Sequence, residues 1–208
     1  MTASEHQWID VAPNVRFAVW EAYDATVKAN LGATAVVSHG TLVFVDPVPL
    51  APEALEEIRS QGTPAAVILT NGNHERSAAD FAARFQIPVY APHEALPELT
   101  LQNVQAYNAG AELPGHLRAV PLTGGGAGET ALYHVETGSL IIGDAVLNAP
   151  EWGFCVLPKK YCTDARELVK SLRRELPRLT LQRLFFAHGL PIVQNVPEKV
   201  AALLASLE

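Results

Sequence analysis

Residues 70–77, Thr70-Asn71-Gly72-Asn73-His74-Glu75-Arg76-Ser77, join an apolar run to an amphipathic segment. The preceding run, residues 66–69, is apolar and includes β-branched residues, which predicts a buried strand. From Ala78 to Phe85, apolar residues recur at i, i+3, i+4 and i+7, which predicts a helix that ends before Pro88. The stretch is therefore predicted to be a strand-to-helix turn that gathers polar side chains at the end of a strand.

The sequence around this turn shows strands followed by helices, twice over. Predicted strands cover residues 15–20, 33–38, 41–45, 66–69, 104–107, 117–121, 131–135, 139–142 and 184–187. Predicted helices cover residues 52–60, 78–86, 164–176 and 197–207. Strands that arrive as hairpins favour a layered sandwich of sheets covered by helices, because a doubly wound parallel sheet needs more regular strand-helix alternation.

Composition indicates one globular domain over residues 1–208. The chain has 208 residues, of which 49% are hydrophobic and 18% charged, so it has ample apolar material for one core. No low-complexity tract or long polar linker interrupts the pattern. We therefore expect both halves to share a core.

Net charge and hydropathy limit the classes of partner that this chain is expected to have. A net charge of −7 repels polyanions, so nucleic acid is not expected as a partner. No segment approaches the roughly 20 apolar residues that span a bilayer, and segment 1–7 lacks the features of a secretory signal. A cytoplasmic protein without membrane contacts is expected.

Cys155 and Cys162 match no zinc-binding spacing and are interpreted as reduced packing residues. The sequence leaves the oligomeric state open.

Four segments, in order and spacing, resemble those of the metallo-β-lactamase superfamily. They are Leu69 to Arg76, Thr123-Gly-Gly-Gly-Ala-Gly-Glu-Thr130, Gly143-Asp144 and Ala187-His-Gly-Leu-Pro191. In addition, Val45-Asp46-Pro47 looks like the family's Ile-Asp-x-Gly turn. The resemblance covers about residues 15–208 and implies an α+β fold, the four-layer αββα sandwich of that family.

The resemblance also implies where metal ligands would lie. The family's first segment normally reads Thr-His-x-His-x-Asp-His, and its four ligand positions are Asn71, Asn73, Glu75 and Arg76 here. The histidine of the second segment is matched by Gly125, whereas Asp144 matches the bridging carboxylate and His188 the last histidine. Two family ligands thus remain, fewer than the three protein groups and a water of a catalytic zinc. The family's dizinc centre is not expected.

Two replacements for the dizinc centre follow from these residues. Amide oxygens of Asn71 and Asn73, with Glu75, Asp144 and His188, would form an oxygen-rich site for weakly held Mg²⁺, Mn²⁺ or Ca²⁺. Alternatively, the Arg76 guanidinium stands in for the metal as the counter-charge of a buried Asp144. This second hypothesis predicts a direct contact from Arg76 to Asp144 or Glu75.

Each motif also has a structural interpretation. Asn71-Gly72-Asn73 is typical of a turn and helix N-cap, and His74 is interpreted as a solvated residue beside the cleft. Asp144 and His188, taken alone, are typical of a turn residue and a histidine bonded to local backbone. The run Gly124–Gly128 is not a phosphate loop, because no Lys follows and the next element is a strand. It is interpreted as a tight bend.

The candidate site residues fall into two groups. Asp144, His188 and Glu75 are the catalytic candidates, with Asp144 and His188 holding any metal; the ligand-binding candidates are Asn71, Asn73, His74, Arg76 and Gly125. The resemblance implies a hydrolase of esters, thioesters, lactams, lactones or phosphodiesters that uses zinc. Because most zinc ligands are replaced here, we expect zinc to be absent or replaced by a weakly held divalent metal. The alternative is a noncatalytic relative that binds a small molecule, or an anion through Arg76.

Overall fold

The computed structural model describes residues 5–207; residues 1–4, the start of the polar segment 1–7, and residue 208 lie outside the described part. The strands are β1 (His6–Ala12), β2 (Val15–Asp24), β3 (Ala29–Ser38), β4 (Thr41–Val45), β5 (Thr63–Ile68), β6 (Val89–Pro92), β7 (Gln105–Tyr107), β8 (Glu112–Leu113), β9 (Leu117–Pro121), β10 (Thr130–His134), β11 (Ser139–Ile142), β12 (Val146–Ala149), β13 (Gly153–Val156) and β14 (Arg183–Phe186). The helices are α1 (Pro52–Arg59), α2 (Ala78–Phe85), α3 (Ala165–Glu175) and α4 (Val196–Ser206).

Most strands belong to two sheets. The first is seven-stranded in the order β1-β2-β3-β4-β5-β6-β7, antiparallel from β1 to β4 and parallel from β4 to β7. The second is five-stranded in the order β14-β11-β10-β9-β8, with β14 parallel to β11 and the other pairs antiparallel. Strands β12 and β13 form a separate hairpin.

Alternation along the strands sorts the side chains into layers. On β2, Phe17 faces the second sheet and stacks on Phe185 with 4.4 Å between ring centroids. Its neighbour Ala18 points to the opposite face, together with Trp20. On β10, Leu132 likewise faces the first sheet, whereas its neighbours pack on the other side. This period of two gives each sheet one face toward its partner and one toward helices.

Helices cover both outer faces. Leu55 and Ile58 of α1 and Phe81 of α2 pack on the first sheet. The apolar stripes of α3 and α4 pack on the second sheet, through Leu168, Leu172, Val200 and Leu203. The layers run helix, sheet, sheet, helix, which confirms the expected α+β, αββα architecture. Within residues 5–207, no helix is long and apolar enough to cross a membrane.

The structure also departs from the sequence prediction. Strands β1, β6 and β8 and the β12–β13 hairpin are absent from the predicted elements. The first sheet is parallel from β4 to β7, because β4, α1, β5, α2 and β6 alternate as in a doubly wound fold. The first sheet therefore has two parts. Strands β1 to β4 form an antiparallel meander, and residues 41–92 add a strand-helix-strand alternation with parallel pairing.

Parallel pairing brings four loops to one edge of the sandwich. Val45 at the end of β4 pairs with Ile68 at the end of β5, and Ile142 at the end of β11 pairs with Phe186 at the end of β14. The chain leaves all four strands on the same side. The residues that follow them therefore meet at what we term the strand-end edge.

Candidate functional site

Carboxylate and imidazole side chains alternate in a row along the strand-end edge. Asp46 follows β4, His74 lies in the turn after β5, Asp144 follows β11 and His188 follows β14. Each loop contributes one residue. The site is thus assembled by the strand pairing of both sheets.

Asp46 and Thr70 fix the ring of His74. The Thr70 amide donates to Oδ1 of Asp46 at 2.8 Å, and the Thr70 hydroxyl donates to Oδ2 at 2.6 Å. Nδ1 of His74 lies 2.8 Å from the same Oδ2. All three residues are buried. Because Nδ1 is engaged inside the protein, Nε2 is the ring atom left to face the site.

Asp144 lies between two histidines. Its Oδ1 is 3.1 Å from Nε2 of His74 and 3.2 Å from Nε2 of His188. Its Oδ2 accepts from the side-chain amide of Asn71 at 3.1 Å. The carboxylate is therefore oriented by Asn71, with one oxygen turned toward both imidazoles.

Asn71 and Glu129 fill the space beside Asp144. Nδ2 of Asn71 also donates to Glu129 at 2.8 Å, while its oxygen accepts from the Asn73 amide at 2.9 Å. The other oxygen of Glu129 accepts from the Ala145 amide at 3.0 Å. A Cβ on Gly125 would lie 2.9 Å from Cγ of Glu129. The Glu129 side chain thus occupies the place of a side chain at position 125.

The charges of this network follow from burial and proximity. Burial and the Arg76 charge disfavour protonation of His74, but Asp144 and Asp46 outweigh them and raise its pKa to about 9. Burial, followed by the Asp144 charge, raises the pKa of Glu129 to about 8. Burial opposes ionisation of Asp144, yet the neighbouring imidazolium of His74 holds its pKa well below the ordinary range. At neutral pH, the counter-charge of Asp144 is His74.

The predicted contact from Arg76 to Asp144 or Glu75 is absent, so that hypothesis is wrong in its geometry. Nη1 of Arg76 donates to the carbonyl oxygens of Gly32 at 2.7 Å and Asp46 at 3.3 Å. The half-buried guanidinium ties the turn to β3. The guanidinium of Arg76 thus bonds to backbone carbonyls, whereas His74 is the cationic side chain that lies between the carboxylates of Asp46 and Asp144.

In the described part of the chain, neither Glu75 nor Asn73 hydrogen-bonds to Asp144, whose partners are Asn71, His74 and His188. The Glu75 carboxylate accepts from the amide and hydroxyl of Thr100 and from the Leu101 amide, so it anchors that loop. Asn73 is exposed, and its backbone amide donates to the side-chain oxygen of Asn71. The oxygen-rich set proposed for Mg²⁺, Mn²⁺ or Ca²⁺ is therefore not assembled. The turn and N-cap interpretation of Asn71 holds, since its side chain caps the 3-10 turn Gly72–His74.

Three residues of the site were undervalued or missed by sequence reasoning. His74, interpreted as solvated, is buried at the centre of the network. Asp46 was noted only as part of a turn, and Glu129 only as part of the glycine-rich segment. A buried charged residue needs a partner, so Asp46 directly after an apolar strand was a usable signal. Glu129 offered no comparable pattern.

His74, Asp144 and His188 form a set of donors suited to one metal ion. One ligand atom from each lies within 4.8 Å of the other two. Ligand atoms about 2.0–2.1 Å from a tetrahedral zinc lie roughly 3.3 Å from one another. The two separations to Asp144, 3.1 and 3.2 Å, are close to this value. A carboxylate on the far ring nitrogen, here Asp46, is the usual support of a metal-bound histidine.

The site opens toward His188. The His188 side chain is 23% exposed, against 14% for Asp144 and 3% for His74. Its loop is held by Asn148, whose amide donates to the His188 carbonyl at 3.0 Å and whose side chain donates to the Leu190 carbonyl at 2.7 Å. Leu190 is exposed at the rim. Solvent therefore has its best access to the three residues on the side of this loop.

Comparisons with known proteins agree with the fold. A family model described as the metallo-beta-lactamase superfamily matches residues 13–207. Among solved structures, TMB-1 is 15% identical with a TM-score of 0.77, over 99% of this chain and 98% of that chain. A metallo-beta-lactamase from Pontibacter korlensis is 14% identical with a TM-score of 0.70, over 98% of this chain and 100% of that one.

A metallo-beta-lactamase family protein from Thermus thermophilus is 19% identical with a TM-score of 0.68, over 94% of this chain and 80% of that one. At such identities the structural similarity shows the fold alone. A comparison with curated protein sequences gave no match.

Proposed function

Because the chain belongs to the metallo-β-lactamase superfamily, we propose that it is a hydrolase-like protein with a reduced centre, in which His74, Asp144 and His188 hold one divalent metal ion. The observation that carries the proposal is the Asp46–His74 pair. Its 2.8 Å contact occupies Nδ1 of His74 and aims Nε2 at Asp144. This arrangement supports a ligand role better than a solvated one.

The residues fit one ion and do not fit two. Positions 71, 73 and 125, which carry histidines in the family, are occupied here by a capping amide, an exposed amide and a glycine. The neutral acid of Glu129 and the Asn71 amide fill the space beside Asp144. Two imidazoles and a carboxylate suit Zn²⁺ or another first-row transition ion.

The chain's own residues would orient the ligands and set their charge. Thr70 and Asp46 hold His74, and Asn71 holds Asp144 so that Oδ1 faces both histidines. When bound, a divalent ion supplies polarisation of a substrate oxygen and activation of water. His188, the most accessible of the three, would lie next to the small-molecule substrate.

A noncatalytic role is the second candidate, favoured by the charge on His74. With a pKa raised to about 9, His74 is an imidazolium at neutral pH and satisfies Asp144 without a metal. A relative of this kind would bind a small ligand on the His188 side. Arg76 would not serve as its anion site, because the guanidinium is bonded to backbone carbonyls.

Metal titration separates the two candidates. Tag-free protein stripped with chelator is titrated with Zn²⁺ or Mn²⁺ by calorimetry, at a pH near the His74 pKa of about 9 where proton competition is small. We expect His188→Ala and His74→Asn each to lose one equivalent of metal. Asp46→Asn should weaken that equivalent about 10 to 100-fold, the effect of losing a supporting partner.

His93→Asn, at an exposed histidine outside the site, is the matched control and should bind as the wild type does. Hydrolysis of ester, thioester, lactam and phosphodiester probes is then measured with the loaded protein. A wild-type protein that binds no metal would refute the metal centre, and so would His74→Asn and His188→Ala variants that both bind as many equivalents as the wild type.

A further inference from the structure

A second group of potential ligands lies at the opposite edge of the sandwich. His39 is in the β3–β4 turn, His116 in the β8–β9 turn and Glu136 in the β10–β11 turn. Strand β4 separates His39 from Asp46 by the five residues Thr41–Val45, about 17 Å of extended chain. The group is therefore independent of the centre at the strand-end edge.

The three side chains converge. Nε2 of His39 lies 2.7 Å from Oε2 of Glu136. The rings of His39 and His116 stack with 5.1 Å between centroids and an interplanar angle of 24°. One ligand atom from each of the three residues lies within 4.8 Å of the others. All three residues are exposed, so an ion in solution can reach them.

The turns hold both histidines in an unusual backbone conformation. His39 has φ 49° and His116 φ 60°, in the left-handed region that glycine and asparagine adopt more readily. Each lies beside a glycine that also has a positive φ, Gly40 at 82° and Gly115 at 75°, so each turn places two consecutive residues in this region. The turns thus present imidazoles at positions where their backbone does not favour them.

His134 forms the floor of the group and is not a ligand itself. It is buried, and its ring lies 6.3 Å from that of His116 at an interplanar angle of 12°. Its Nε2 bonds to Ser38 Oγ and its Nδ1 to Thr137 Oγ1, both at 3.0 Å. Since both ring nitrogens are occupied, His134 supports His116 from below.

We propose that His39, His116 and Glu136 bind a divalent transition-metal ion that clips the two sheets together. Two imidazoles and one carboxylate favour Zn²⁺, Cu²⁺, Ni²⁺ or Co²⁺ over Mg²⁺ or Ca²⁺. His39 lies in a turn between strands of the first sheet, whereas His116 and Glu136 lie in turns between strands of the second. An ion held by both sheets stabilises the folded state, because the unfolded chain does not keep the three ligands together.

The test uses the full chain, tag-free and chelator-treated, with His188→Ala as the background that disables the other centre. Zn²⁺ and Cu²⁺ are the probes; calorimetry measures their binding, and thermal unfolding measures their effect on stability. Added variants are His39→Asn, His116→Asn and Glu136→Gln. Asparagine tolerates the left-handed backbone, so the two histidine variants remove the ligand and keep the turn. His93→Asn is again the control.

We expect the background protein to bind one equivalent of Zn²⁺ and to unfold at a higher temperature when loaded. Each ligand variant should weaken this binding at least about 10-fold and abolish the thermal shift, whereas the control keeps both. Cu²⁺ bound to the background should show nitrogen couplings from imidazole in its electron paramagnetic resonance spectrum.

The proposal is overturned if the background binds no metal, or if its bound equivalent persists in all three ligand variants. Neither outcome bears on the centre of Asp144, which is tested by His74→Asn and His188→Ala. The two hypotheses can therefore fail separately.

Discussion

The ring of His74 lies between the carboxylates of Asp46 and Asp144, and this position governs the charge of the site. Both contacts are short, at 2.8 and 3.1 Å, and the imidazole is buried. An imidazolium there neutralises charge that the interior would otherwise penalise. The uncharged acid of Glu129 adds no further charge at neutral pH.

This arrangement predicts the pH dependence of stability in the metal-free protein. His74 has an ordinary pKa of 6.5 and a folded pKa of about 9, so the folded state keeps a proton that the unfolded chain loses between these values. Its contribution is full below pH 6.5 and is lost as pH rises through 9. Urea unfolding over a pH series should therefore show stability falling across this window.

Glu129 adds a second window with the same sign. Its pKa rises from 4.5 to about 8 on folding, so stability also falls between these two values. Glu129→Gln, which resembles the protonated acid, should flatten the lower part of the profile, and His74→Asn the part above pH 8. Asp144 titrates only in acid, outside both windows. A profile unchanged by either substitution would contradict the assignment.

At the residue scale, the sequence indicated the place of the site better than its chemistry. Asp144 and His188 could be located through the family motif, and the structure brings them within 3.2 Å. The role of His74 could not be predicted, because a position between two family ligand positions carries no ligand signal. Only the turn of Gly72–His74 directs its ring inward, toward carboxylates from distant loops.

Among the elements, the loop after β14 controls the most accessible residue of the site. Gly189 has φ 102°, and a Cβ there would collide with the carbonyl of Asn148. The close approach lets Asn148 bond to the carbonyls on both sides of the glycine. Gly189 therefore sets the position of His188 relative to Asp144.

Gly189→Ala is expected to displace this loop. The left-handed backbone alone costs roughly 1–2 kcal/mol for a residue with a Cβ, and the collision with Asn148 adds to it. Metal affinity at His188 should fall together with thermal stability. Gly153→Ala is the matched control, since Gly153 has φ 69° but nothing within 4 Å of a Cβ. Equal effects of the two variants would show that the collision is unimportant.

Elements with a strong periodic pattern were predictable, and those without one were not. All four predicted helices are confirmed to within about two residues. The β12–β13 hairpin was missed, because each of its strands has only four residues. A period of two is hard to recognise over so few residues.

For the whole molecule, the two sheets share an apolar layer that includes the stacked rings of Phe17 and Phe185. Phe17 belongs to the first sheet and Phe185 to the second, and both are fully buried. Neither sheet can keep this face covered without the other. Burial of these large side chains contributes strongly to stability and requires both sheets to be in place. We therefore expect both halves to unfold together.

Phe185→Ala tests this cooperativity. Removing a buried phenylalanine costs about 3–5 kcal/mol, which lowers the midpoint of thermal unfolding by roughly 6–20 °C in a protein of this size. Tryptophan fluorescence, which includes Trp20 of the first sheet, and far-ultraviolet circular dichroism should shift together. Phe85→Ala, at a partly buried ring of α2 that packs on the helix side of the first sheet, should cost less. If the signals separated, with the transition of the first sheet unmoved by Phe185→Ala, the halves would be independent and the expectation of a single domain would fail.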